Sequence, residues 1–161
     1  YKKIPYHIDY DLFAQNLNQI IEVCKEYGIK LAYENVHYSY FDTPGFFEKL
    51  KPRCPELYAT FDCKHCRQGG GSSEKFLQAI GDRLATVHLC DVNLDNTTTL
   101  PYQGVVDFEA LFLYLKDHHP KAVLLLELYG HNYQDVSQIK SVYDQTKQHM
   151  ETVQTKFIKF C

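Results

Sequence analysis

No low-complexity tract interrupts the 161 residues, and 45% of them are hydrophobic, so a disordered chain is excluded and a single folded unit over 1–161 is expected. No apolar stretch approaches the roughly 20 residues of a membrane span. The segment Tyr1-Lys2-Lys3-Ile4-Pro5 has no apolar centre of the kind a signal peptide carries. A soluble, cytoplasmic protein without a membrane partner is the expectation. Basic residues are not in surplus: the net charge is -3 and both signs are interspersed, which leaves no electrostatic footprint for a phosphate backbone. Nucleic acid is therefore not the expected partner. The glycine run 69–71 is without the lysine and spacing of a phosphate loop and reads as a flexible turn. Six cysteines are present, but no second pair follows Cys63 and Cys66. Their places within or beside apparent strands and helices favour reduced, partly buried thiols over a disulfide framework or a zinc pair.

What is there alternates helix and strand. Residues 9–27 place Leu12, Phe13, Leu17, Ile20, Ile21 and Cys24 on one helical face, with Asp9 or Asp11 as N-cap and Gly28 as the stop. A strand runs to Glu34, an aromatic loop 36–41 follows, and a second helix starts near Pro44 and ends before Arg53-Cys54-Pro55. The strand 57–62 leads to the glycine loop, after which Ser72 or Ser73 caps a helix carrying Phe76, Leu77 and Ile80. A third strand, 84–89, enters a long polar loop; Asp107 caps the next helix, whose Phe108, Leu111, Phe112 and Leu115 face inward. The strand 121–127 is almost wholly apolar, as expected where both faces are covered. A last helix carries Val136, Ile139, Val142 and Tyr143. This order predicts an α/β fold with a parallel sheet and right-handed crossovers.

Four polar side chains end the four apolar runs: Glu34, Asp62, His88 and Glu127. Each interval is close to one strand-helix unit, so all four should emerge at the same rim of the sheet, where parallel barrels build their sites. Three carboxylates and an imidazole make a mostly oxygen, moderately hard ligand set suited to a divalent metal ion, Mn2+ or Mg2+ first, with Co2+, Zn2+ or Fe2+ also compatible. Such an ion polarises a carbonyl or hydroxyl oxygen and stabilises enediolate charge, while two of the carboxylates move protons.

The segments Tyr33-Glu34-Asn35, Phe61-Asp62-Cys63-Lys64-His65, Val87-His88-Leu89-Cys90-Asp91, the run 100–108 and Leu125-Leu126-Glu127-Leu128, in this order and spacing, resemble the xylose isomerase-like superfamily of (β/α)8 TIM barrels. That superfamily includes sugar-phosphate isomerases, ketose epimerases, inosose dehydratases and endonuclease IV. The match implies the C-terminal half of such a barrel, about four strands of the eight. It implies a metal-dependent sugar or sugar-phosphate isomerase or epimerase, belonging to carbohydrate metabolism. In the ketose epimerase branch the metal ligands fall on Glu34, Asp62, His88 and Glu127, and Glu34 and Glu127 exchange the proton from opposite faces of the sugar, with pKa values nearer neutrality than a free carboxyl. His65 falls on a substrate-contacting position, and Asp91 supports the loop or a substrate hydroxyl. The aspartate-x-histidine pair that endonuclease IV carries after the seventh strand is absent between Asp91 and Leu100, which puts DNA repair behind sugar chemistry. A lyase of the inosose dehydratase kind would use the same metal and a glutamate base. A non-catalytic half-barrel is the alternative from another class.

About 250 residues is usual for the whole barrel. The chain also begins without methionine, directly on a helix that would follow an earlier strand. A fragment, a processed parent, or a half-barrel completed by a second chain all fit, so the expected partner beyond a small sugar is a missing N-terminal half-barrel or another copy in a homo-oligomer. Simpler roles stand beside the functional ones. A strand-end carboxylate can cap the next helix, His65 can be a loop histidine, and Arg67 and His131 can be solvated rather than meet a phosphate or hydroxyl. Tyr38, Tyr40 and Phe41 can form an apolar wall for a sugar or merely pack.

Overall fold

The computed structural model describes residues 7–153 and the backbone of a short strand at Lys159–Phe160. Helix α1 spans Tyr10–Glu26 and is started by Asp9, whose carboxylate accepts from the amides of Asp11 and Leu12. This settles the choice between the two aspartates by satisfying amides that have no partner inside the helix. Gly28, at φ 66°, turns the chain out of it. Strand β1 is Ala32–Glu34, and α2, Pro44–Leu50, begins on its proline and buries Phe46, Phe47 and Leu50. Strand β2, Tyr58–Asp62, runs without a break into α3, Cys63–Gln68; α4 is Ser73–Ile80, capped by Ser72. Strand β3, Leu84–Leu89, precedes a two-stranded antiparallel hairpin of β4, Asp91–Val92, and β5, Thr98–Thr99. Then follow α5, Phe108–His118, capped by Asp107; β6, Val123–Leu126; α6, Val136–Thr152; and β7, Lys159–Phe160.

The sheet order is β1-β2-β3-β6-β7, with every pairing parallel. Parallel neighbours joined through helices give the α/β architecture expected from the alternation. Three elements had no signal: α3, because a six-residue helix beginning at a strand end shows no amphipathic period; the β4–β5 hairpin, whose two-residue strands lie in what reads as a polar loop; and β7, whose two residues take their pairing from β6. The helix side of the sheet holds the core, where Ala59, Phe61, Val87, Leu89 and Leu124 are inaccessible against Phe41, Phe47, Phe76, Leu77, Phe112 and Leu115.

Three packing expectations are corrected. On α1 the buried stripe is Ala14, Leu17 and Ile21, while Leu12 and Ile20 are exposed, so the inward face is rotated and narrower than the apolar spacing suggested. On α6, Val142 is buried with Thr146 and Met150, but Val136 is exposed. On β6, Leu124 is buried and Leu125 is 39% exposed: helices cover one face of this strand, not both. Cys24, Cys54, Cys63, Cys66 and Cys90 are free thiols, as composition implied. No helix among the described residues is long and apolar enough to cross a membrane.

Candidate metal centre

Side chains alternate along a strand, so the face opposite the core receives Glu34 from β1, Thr60 and Asp62 from β2, Thr86 and His88 from β3, and Leu125 from β6 with Glu127 just beyond it. Register brings them level: Asp62 pairs with His88, His88 with Leu125, and the Glu127 amide donates to the Leu89 carbonyl at 3.1 Å. Beneath them the hydroxyls of Thr60 and Thr86 bond each other at 2.7 Å. The result is a cluster in which one ligand atom from each of Glu34, Asp62, His88 and Glu127 lies within 4.8 Å of the others. His88 Nδ1 is 3.4 Å from Glu34 Oε1, 3.5 Å from Glu127 Oε2 and 3.9 Å from Asp62 Oδ2.

The donor set fits a divalent cation. Asp62 is fully buried, and its two oxygens divide the work: Oδ1 caps α3 by accepting from the His65 amide at 2.8 Å, whereas Oδ2, turned to the cluster, has no hydrogen-bond partner. Its second neighbour, Lys64 Nζ at 3.3 Å, makes an ion pair but no hydrogen bond. His88 Nδ1 is likewise buried without a hydrogen bond. Buried polar atoms in folded proteins are nearly always satisfied, and two such atoms aimed at one point ask for a shared partner. Asp62 thus fills the helix-cap role foreseen for a strand-end carboxylate with one oxygen, while its other oxygen faces the cluster.

The electrostatics depart from expectation. Glu34 and Glu127, expected near neutrality, are both held below the usual carboxylate range, chiefly by their contacts with His88. Lys64 and the Tyr129 hydroxyl add to this at Glu127. The carboxyl pushed up is that of Asp62, to about 7, by burial first and by the neighbouring Glu127 second. His88 rises to about 9 because Glu127 and Glu34 flank its ring.

Lys64, Tyr129, Asn35 and His37 are the residues that strand-end reasoning missed. Lys64 is only 2% exposed; its ammonium lies 3.4 Å from both oxygens of Glu127, contacts the Tyr129 hydroxyl and sits 4.7 Å from the centre of the Tyr129 ring. Tyr129 in turn donates to Glu127 Oε1 at 2.9 Å. The buried Asn35 side chain clamps the Asp62 backbone, donating to its carbonyl at 3.0 Å and accepting from its amide at 2.6 Å. Asn35 stands one residue from Glu34 and Lys64 two from Asp62, inside the segments that carry the resemblance, which is the signal they gave.

The other candidates separate. His65 Nδ1 meets His37 Nδ1 at 2.9 Å, with Tyr38 edge-on to its ring, at the border of the cluster. Burial, then the Lys64 charge, pushes its pKa down to about 4, so it is a neutral imidazole. Asp91 fills the loop role, the first of the two foreseen for it: Oδ1 accepts from the Val92 and Val106 amides and Oδ2 from the Gly104 amide. Gly104 is required there, since a Cβ would lie 2.2 Å from the Val92 carbonyl oxygen. Arg67 is exposed on α3. His131 bonds the Thr98 hydroxyl at 2.9 Å. The aromatic wall is not one surface: Phe41 is core, Tyr40 packs on Phe13 and Phe46, and Tyr38 alone borders His65. Cys63 and Cys66 are buried on α3, and the Cys63 thiol donates to the His88 and Cys90 carbonyls at 3.1 and 3.0 Å, a packing role.

Residues 1–153 match the family described as xylose isomerase-like TIM barrel. An inosose dehydratase of Clostridium perfringens is 26% identical over 139 residues, a match covering 74% of this chain and 47% of that protein. The chain thus spans about half the length of the curated relatives it matches. Among solved structures, L-ribulose 3-epimerase superposes with a TM-score of 0.74 at 15% identity over 96% of this chain and 59% of its own. The IOLI protein with a binding zinc atom gives 0.72 at 20% identity over 97% and 60%.

Proposed function

The chain belongs to the xylose isomerase-like TIM barrel family, and from that premise we propose that it carries the metal-holding part of a sugar or sugar-phosphate isomerase or epimerase that moves a proton at the carbon beside a carbonyl. The observation that carries this reading is the approach of four ligand atoms within 4.8 Å, with Asp62 Oδ2 and His88 Nδ1 buried and without a hydrogen bond. Glu34, Asp62, His88 and Glu127 would hold the ion; when bound it supplies Lewis-acid stabilisation of negative charge on substrate oxygen. Glu34 and Glu127 are then the proton carriers, and they are not equivalent. Glu34 has His88 as its charged neighbour, while Glu127 is also held by Lys64 and Tyr129. Glu34 is the freer base, and Glu127 sits beside two groups able to return a proton. His65, neutral and beside His37, would hold a substrate hydroxyl.

The Lys64–Tyr129 pair, together with the likeness to inosose dehydratase, also favours a second reading, loss of water from the adjacent carbon, in which the same base acts and the leaving hydroxide is protonated from that pair. One experiment tests both. The chain, loaded with Mn2+, is incubated in D2O with ketoses, ketose phosphates and keto-cyclitols, and the products are followed by NMR. Deuterium wash-in beside the carbonyl with the carbon skeleton's hydroxyls retained supports the isomerase or epimerase. Loss of a hydroxyl supports the lyase. Neither event with any substrate, in a protein shown to bind Mn2+, rejects both and leaves a metal-binding half-barrel without catalysis.

A further inference from the structure

An ammonium as deeply buried as Lys64 is costly unless paired, and the groups that pair it, Asp62 and Glu127, are half of the candidate ligand set. The position is built: Lys64 follows Asp62 on the first turn of α3, and its long chain is fully covered on the way to the cluster. Tyr129 holds the ammonium from the far side through its hydroxyl and its ring face. A cation bound to Asp62 Oδ2 at a ligand distance of about 2.2 Å would therefore sit near a second positive charge that cannot leave for solvent.

We propose that Lys64 is a tethered counter-ion that competes with the divalent cation for Asp62 and Glu127, so that the chain binds metal more weakly than its four ligands would allow and stays folded without it. This rests on the metal reading of the cluster. Three carboxylates facing one point repel one another; in the metal-free protein Lys64 offsets that repulsion. When an ion arrives, Lys64 must give up its share of the two carboxylates and keep Tyr129, whose hydroxyl and ring remain as its partners. The site is thereby suited to exchangeable rather than permanent metal.

The test is calorimetric titration of metal-free protein with Mn2+ and with Mg2+, beside thermal unfolding with and without each ion; neither readout depends on activity. Lys64→Met, similar in length and uncharged, should lower the melting temperature of the metal-free protein and tighten Mn2+ binding at least about tenfold, in keeping with the removal of a charge a few ångströms from the ion. Lys64→Arg keeps the charge and should bind no tighter than the parent chain. Where the Met variant does not fold, Lys64→Gln replaces it, since its amide can still meet Tyr129. Metal binding by the neutral variants alone, or at least tenfold tighter than by the parent, upholds the proposal. Binding by the parent with no gain in the neutral variants overturns the role of Lys64 and leaves the metal reading intact. No binding by any of the chains overturns both.

Discussion

On the helix side of the parallel sheet, Ala59, Phe61, Val87, Leu89 and Leu124 are sealed from solvent. One residue away along the same strands, Thr60, Asp62, Thr86, His88 and Leu125 face the other way, and there Leu125 and part of His88 reach solvent. Both faces share a backbone and its hydrogen bonds, so the difference between them is entirely in the side chains. The first face buys stability by excluding water. The second gathers three carboxylates, an imidazole and an ammonium in a space where each charge needs the others, an arrangement that folding alone does not reward. A face whose groups conflict in the metal-free protein is where function is expected.

The largest effect should come from breaking the first face. Phe61→Ala removes a side chain with no exposure from between β2 and α4, where its ring lies 6.2 Å from that of Phe76. A loss of about 3–5 kcal/mol is expected, read by denaturant unfolding. If the loss is below about 1 kcal/mol, the helix side is not the core that this comparison requires.

His88→Ala makes the reciprocal cut one strand over. It leaves Val87 and Leu89 in place, so its stability cost should be far smaller, while Mn2+ affinity should fall by more than about 100-fold, beyond what the loss of a mere supporting partner brings. The same residue gives the face a pH signature. The His88 pKa, raised to about 9 by Glu127 and Glu34, exceeds its unfolded value, so its contribution to the metal-free fold is complete below about 6.5 and is lost as pH rises through about 9. Asp62, raised to about 7, likewise favours its protonated form at low pH and loses that stabilisation as pH climbs through 7. Metal requires the opposite states, a neutral imidazole and a charged carboxylate. Stabilisation by Mn2+ should therefore grow from about pH 6 to about pH 8.5, roughly tenfold in affinity per unit where one proton is displaced; a flat profile would deny that these groups bind the ion.

The same comparison explains what was legible in the sequence. The helix side announces itself by periodicity: Phe108, Leu111, Phe112 and Leu115 on α5 and Phe76, Leu77 and Ile80 on α4 are buried as spaced. Glu34, Asp62, His88 and Glu127 were legible for a different reason, because strand ends in a parallel sheet share one rim, and they do converge. What was hidden depends on angles that spacing does not carry. The turn of α1 that exposes Leu12 and Ile20 follows from how the helix lies on its neighbours. Lys64 reads as an ordinary surface residue until α3 is known to start at Asp62 and swing it inward. For Asp91 the loop role was foreseen, but the three amides that bond it lie at spacings no pattern reveals.

Asp62 serves both the scaffold and the cluster and so gives the sharpest test at the smallest cost in stability. Its Oδ1 performs a local task, capping α3 through the His65 amide, and asparagine is as good a cap as aspartate. Its Oδ2 performs the other, presenting charge to the cluster from a fully buried position where ionisation is opposed by desolvation. Asp62→Asn keeps the first and removes the second, provided the amide oxygen takes the cap. Unfolding should then shift by less than about 1 kcal/mol, since the Lys64 ammonium keeps Glu127 and Tyr129 as partners while one buried carboxylate is removed. Mn2+ affinity should nevertheless drop by more than about 100-fold, beyond the range of a lost supporting partner. A variant that unfolds easily yet binds metal normally would place Asp62 with the scaffold and dissolve the division between the two faces at the residue where they meet.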